Sequence, residues 1–212
     1  MNTIIDRFNN VKSIISNNNV QIVAVSKTFS FEYISPLVDF GHIHFGENKV
    51  QEAHSKWSEI KKKNKKIQLH MIGKLQSNKV KVATTLFDYI HSLDNQKLAD
   101  TLSKCENVIN KKNKYFIQVN VGKEKQKSGI EPEILDDFFY YCSKQLKLNV
   151  IGLMAIPPAD GNTDKHFKYL SEANQSLGLK ELSIGMSSDF ENAIKFKSTF
   201  VRIGTSIFGS RT

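Results

Sequence analysis

Lys27 stands at the carboxyl end of the first strand-like run, where covalent chemistry is best placed: it closes the apolar segment 20–26 and is followed by Thr28 and the polar opening of a helix. An amine at the end of a buried strand is desolvated, which favours its neutral, nucleophilic form and suits it to Schiff-base formation with a carbonyl. Near the other end of the chain, Gly185-Met186-Ser187-Ser188 and Gly204-Thr205-Ser206 combine open backbone with hydroxyl donors. Ser188 and Glu191 have the spacing of a capping box, so free N–H groups and the positive end of a helix dipole are predicted to face an anion there. An amine and an anion cup together predict a ligand carrying both a carbonyl and a phosphate. Pyridoxal 5′-phosphate meets that description; so does a sugar phosphate held as in a Schiff-base aldolase.

These residues need elements to bring them together. Short β-branched runs at 21–26, 42–45, 68–72, 89–92, 115–121, 150–155, 182–185 and 200–203 alternate with helical patterns near 31–39, 49–62, 78–84, 95–110, 133–146, 163–177 and 189–195. An amphipathic helix over 1–16 precedes them. Near-continuous apolarity in 117–121 and 150–156 predicts strands covered on both faces, as in a parallel sheet. Eight such strands with no linker between them predict an α/β fold, a single (β/α)8 TIM barrel over 1–212 with an extra N-terminal helix. An open doubly wound sheet is the rival, but its usual Gly-x-Gly-x-x-Gly turn is replaced here by Ser-Lys-Thr. Barrel chemistry collects where strands leave the carboxyl-terminal face. The residues at those points are Lys27, Gly46-Glu47-Asn48, Gly73-Lys74, Ser92 with Asp94, Asn120-Val121-Gly122, Met154, Gly185-Met186-Ser187 and Arg202-Ile203-Gly204-Thr205. Closing the barrel makes the first and last strands neighbours.

Composition narrows the function classes. The net charge of +9 comes from lysines spread over almost every helix; the runs at 61–66 and 111–114 carry no interleaved aromatics, so nucleic-acid binding is not expected. No apolar stretch is long enough to cross a bilayer, and residues 1–16 lack the pattern of a signal peptide. Cys105 and Cys142 are far apart and in no metal-binding cluster, which fits a reducing cytoplasm. Arginine occurs only at 7, 202 and 211, so Arg202, at a strand end, marks a place for a planar, permanently charged donor. No long apolar interface is evident, and a monomer is expected.

Several blocks then form one pattern: Ala24-Val25-Ser26-Lys27-Thr28, Phe45-Gly46-Glu47-Asn48, His70-Met71-Ile72-Gly73 with Leu75-Gln76-Ser77-Asn78-Lys79, Lys127-Ser128-Gly129, Gly152-Leu153-Met154-Ala155-Ile156-Pro157, Gly185-Met186-Ser187 and Val201-Arg202-Ile203-Gly204-Thr205. In this order the chain resembles the pyridoxal phosphate homeostasis protein family (YggS/PROSC), relatives of the barrel domain of alanine racemase. The resemblance implies a cytoplasmic barrel carrying pyridoxal 5′-phosphate as an internal aldimine on Lys27, a role in vitamin B6 balance, and apo-enzymes as recipients of the cofactor. It implies that Ser187, Gly204 and Thr205 hold the phosphate beside Met186, that Arg202 faces the pyridine nitrogen and that Asn48 lines the pocket. Lys74 and Phe29-Ser30 depart from the family pattern away from those contacts.

An arginine at the pyridine nitrogen disfavours its protonation and makes the ring a poorer electron sink. Racemases keep that arginine but add a tyrosine from another domain. Here the sequence stops at Thr212, which leaves no room for such a domain, and Tyr33, Tyr89, Tyr115, Tyr140, Tyr141 and Tyr169 fall in helices or at strand beginnings. His70 can serve the pocket or the core, and Glu47 can act as a base or orient its neighbours. A non-catalytic carrier is therefore the leading expectation, with a weak amino-acid racemase or other pyridoxal phosphate enzyme as the alternative.

Overall fold

The computed structural model describes residues 3–16, 19–124 and 126–210, so Arg211 and the first two residues of the expected N-terminal helix lie outside them. Eight parallel strands close into a barrel in chain order: β1 (Gln21–Val25), β2 (His44–Glu47), β3 (Gln68–Met71), β4 (Tyr89–Leu93), β5 (Lys114–Gln118), β6 (Val150–Met154), β7 (Glu181–Met186) and β8 (Phe200–Ile203). The connections carry α2 (Phe31–Asp39), α3 (Val50–Lys63), α4 (Val80–Leu86), α5 (Gln96–Ile109), α6 (Leu135–Tyr140), α7 (Thr163–Ser176) and α8 (Phe190–Lys195), while α1 (Thr3–Ile15) precedes β1 and α9 (Thr205–Phe208) follows β8. The barrel reading holds over its open-sheet rival. The seam is formed by β1 and β8, with Val23 opposite Arg202 and Ala24 opposite Ile203.

β-branched and small residues give β1 its extended backbone, and both of its faces are buried, as befits a strand between core and helices. One set of side chains fills the barrel interior: Val23, Tyr89, Phe116, Met154 and Phe200. The other set packs under the helices, where Phe45 lies 4.8 Å from the fully buried Trp57 of α3.

The differences from the sequence reading have local causes. Strand β2 runs two residues later than the apolar run suggests, because Gly46 and Glu47 keep pairing with His70 and Met71. β5 ends earlier, since Asn120 donates to the Ile130 carbonyl and Ile130 to that of Gln118. The expected helix over 133–146 opens with a 3-10 turn and continues past Tyr140 as a π-helical stretch, Tyr141–Gln145. Two members of the lysine runs are structural: Lys61 donates to the Leu86 carbonyl, and Lys111 to those of Thr84, Thr85 and Phe87. Both cap the carbonyl end of α4, where cations are favoured.

Candidate functional site

Lys27 leaves β1 in a turn anchored on both sides by α3. The Ser26 hydroxyl donates to Glu47 Oε1 at 2.7 Å, and Lys56 Nζ donates to the Ser26 carbonyl at 2.8 Å. Thr28, at φ 71, is a β-branched residue in the left-handed region, and its N–H is held by Glu52 Oε1. Such a conformation costs on the order of 1–3 kcal/mol and persists only where its surroundings impose it. Glu47 is the hub: fully buried, its Oε1 also accepts from Lys56 and from Trp57 Nε1, both at 2.9 Å. These bonds tie Glu47 to the residues that flank the Lys27 turn.

After β7 the chain turns at Gly185, whose φ of 93 and whose approach to Ala193, 2.7 Å from an added Cβ, leave no place for a side chain. The expected capping box does not form. Asp189, not Ser188, precedes α8, and its carboxylate reaches back to the Met186 N–H at 2.6 Å instead of capping the helix. After β8, Gly204 leads into α9, and the Ser187 hydroxyl accepts from the N–H groups of Gly204 (3.2 Å) and Ser206 (3.4 Å). One hydroxyl thus ties the last two loops together.

These loops meet Lys27 across the seam. A cavity of ≈ 290 Å³ is lined by Val25, Lys27, Asn48, Ile72, Ile156, Met186, Ser187, Ser188, Arg202, Gly204 and Thr205. All seven residues singled out from sequence, Lys27, Asn48, Met186, Ser187, Arg202, Gly204 and Thr205, are on this one wall. Asn48 is fixed by Gly73, where an added Cβ would come within 2.4 Å of its carbonyl oxygen. Arg202 is 4 % exposed and donates to the Ser183 hydroxyl and carbonyl, both at 2.7 Å, and to the Ala155 carbonyl at 2.9 Å. Burial lowers its guanidinium to about 10, so it stays charged at neutral pH.

Other rim candidates are elsewhere. Met154 is fully buried in the barrel interior, Ser92 is buried, Asn120 organises its own loop through Glu124 and Glu131, and Lys74 lines a neighbouring cleft. Ile72 and Ile156, which sequence reasoning did not single out for the pocket, follow the ends of β3 and β6, and Ser188 joins them from the turn after β7. A groove of ≈ 550 Å³ between α3 and α4, with Lys61, Lys62, Lys65 and Lys81 in its lining, contains none of the rim residues.

The whole chain, residues 1–212, matches the family model described as alanine racemase, N-terminal domain. A protein of Aquifex aeolicus named pyridoxal phosphate homeostasis protein is 39% identical over 203 residues, covering 92% of this chain and 88% of that one. The solved structure of PipY from Synechococcus elongatus, with PLP bound, superposes with a TM-score of 0.87 at 34% identity, covering 97% of this chain and 100% of PipY. An alanine racemase of Clostridium difficile shares the fold at a TM-score of 0.80 and 13% identity, and this chain spans 57% of its length.

Proposed function

The chain belongs to the alanine racemase N-terminal domain family and, within it, to the pyridoxal phosphate homeostasis proteins, and from that membership we propose that it binds pyridoxal 5′-phosphate and buffers the cell's supply of it. One observation carries this reading: a lysine amine, a hydroxyl-and-amide cup and a buried cation share one cavity of small-molecule size. That donor set fits the cofactor. Lys27 would condense with the aldehyde, C=O becoming C=N with loss of water, and the bound group would then supply a chromophore and an electron sink. Ser187, Thr205 and the backbone at Gly204 would hold the phosphate, Met186 and Asn48 would flank the ring, and Arg202 would face its nitrogen.

The non-catalytic role rests on what the cavity offers. Among the described lining residues Lys27 is the only group able to shuttle a proton at neutral pH, since the others are apolar, hydroxyl or amide groups and Arg202 stays charged. Moving a proton between two faces of a substrate needs a second acid or base. We read the protein as a single unit over 1–212, a cytoplasmic monomer that hands its cofactor to apo-enzymes. Its cysteines, Cys105 and Cys142, are free, and no helix among the described residues is long and apolar enough to cross a membrane.

Borohydride reduction of the cofactor-loaded protein, followed by peptide mass spectrometry, is expected to place a pyridoxyl phosphate adduct on Lys27; an adduct on another lysine, or none, would refute the assignment. Ser187→Ala and Thr205→Val are each expected to weaken retention in equilibrium dialysis by about 1–3 kcal/mol, the value of a buried hydrogen bond to a charged group. Wild-type retention in both variants would remove the phosphate from that cup.

A further inference from the structure

Below Arg202 the barrel interior contains a line of polar groups that the cavity does not use. The Ser183 hydroxyl lies 2.9 Å from His91 Nδ1, His91 Nε2 lies 2.9 Å from His70 Nδ1, and His70 Nε2 lies 3.0 Å from His44 Nδ1. His70 and His91 are fully buried; His44, at 9 % exposure, is the first residue of β2 and stands at the amino-terminal mouth. The line therefore runs the length of the barrel. Its climb follows the stagger of the strands: Gly46 is opposite His70 and His70 opposite Tyr89, so each histidine is two residues further along its strand than the pairing partner of the one before.

The direction of every proton in this line is fixed by Arg202. A guanidinium has only donors, and Nη1 already gives one to the Ser183 oxygen. The Ser183 proton is then left with a single acceptor among the described residues, His91 Nδ1. With its Nδ1 accepting, His91 carries its proton on Nε2 and donates to His70, which by the same rule donates from Nε2 to His44. The three lone pairs all point towards the guanidinium.

We propose that His91, backed by His70 and His44, is a positioning residue for Arg202: a column of neutral imidazoles locked in the Nε2–H tautomer that compensates a buried cation through the Ser183 hydroxyl and keeps it aimed at the ligand ring. No carboxylate forms an ion pair with Arg202 among the described residues, Asp189 acting on it only through space, and the dipoles of Ser183, Ala155 and the histidine column stand in that place. Such aligned chains polarise one another, so the inner hydrogen bond to the guanidinium is strengthened by the outer ones. The surroundings favour the neutral column. Burial holds His70 and His91 well below the usual histidine range; Arg202 adds to this for His91, the neighbouring histidines and Lys114 for His70, and Lys114 for His44, with Asp88 the one opposing charge on His44.

The part concerning the ring rests on the pyridoxal phosphate reading, whereas the tautomer assignment does not. Nitrogen-15 spectra of histidine-labelled, cofactor-free protein at neutral pH are expected to show His44, His70 and His91 protonated on Nε2; a proton on Nδ1 of His91 or His70 overturns the proposal. In protein loaded with pyridoxal 5′-phosphate, His91→Phe is expected to raise the pH midpoint of the cofactor's spectral titration by about 0.5–1 unit, because a loosened Arg202 opposes ring protonation less. His91→Asn, whose amide oxygen can replace Nδ1 as acceptor, is expected to restore the wild-type midpoint. An unmoved midpoint in His91→Phe overturns the proposal. Ser183→Ala cuts the same line at its other end and is expected to raise the midpoint likewise, so an unmoved midpoint there overturns the proposal even where His91→Phe fails to fold. Failure of the wild-type protein to take up pyridoxal 5′-phosphate refutes the ligand instead, with the nitrogen-15 spectra still deciding the column.

Discussion

Lys27→Ala is expected to abolish the visible absorbance of the pyridoxal phosphate-loaded protein entirely, while leaving the far-ultraviolet circular dichroism unchanged. The lysine projects from a turn whose hydrogen bonds come from Ser26, Lys56, Glu47, Glu52 and the Thr28 backbone, so truncating the side chain removes the amine without removing any of those supports. Lys27→Arg is the informative companion. It keeps a positive charge beside the cavity yet cannot form the same C=N bond, so phosphate-driven binding is expected to survive in part with no visible band. Wild-type absorbance in Lys27→Ala would show that another amine, or none, holds the cofactor.

Acid sensitivity should be nearly as large. Burial lowers His42 and His44 to about 4 and drives His70 and His91 well below their ordinary value, so all four remain neutral in the folded protein down to low pH. In the unfolded chain they protonate near 6.5. Because the folded-state values are the lower ones, their contribution is fully present above the unfolded value and is lost as the pH falls from about 6.5 towards 4. Each neutral histidine contributes about 1.4 kcal/mol per pH unit of this loss, or about 5 kcal/mol per unit if all four act together. Native stabilities of about 5–15 kcal/mol cannot absorb that for long. Urea midpoints measured from pH 7 to pH 5 are therefore expected to fall steeply. His42→Phe, placed where the ring already packs 4.8 Å from Phe8, should shed about one proton's share of the slope. A urea midpoint that is flat across this range would contradict the burial of the histidines.

Much of the site was legible because its chemistry sits at strand ends, where an apolar run stops and a polar residue follows. Lys27, Ser187 and Thr205 announce themselves this way, and Arg202, the only arginine in a strand among the described residues, is buried. Ile72 and Ile156 do not announce themselves, since an isoleucine after an apolar run reads as more strand. The histidine column was invisible for a different reason. His44, His70, His91 and Ser183 are 26, 21 and 92 residues apart, and their alignment depends on the stagger of the strand pairings, which no local pattern encodes. The capping box failed on the opposite ground: Ser188 and Glu191 have the right spacing, but the Asp189 carboxylate bonds the Met186 N–H and sets the turn one residue later.

The β1–β8 seam has a consequence for how the protein comes into being. Lys27 follows β1 and Arg202 lies in β8, and the cavity between them is closed where these two strands pair. Formation of the cavity thus waits on a long-range pairing, a loop closure that spans all the strands between β1 and β8. A chain in which β8 has not paired with β1 has the pieces of the cavity without the cavity itself, and opening that joint would part Lys27 from the turns after β7 and β8.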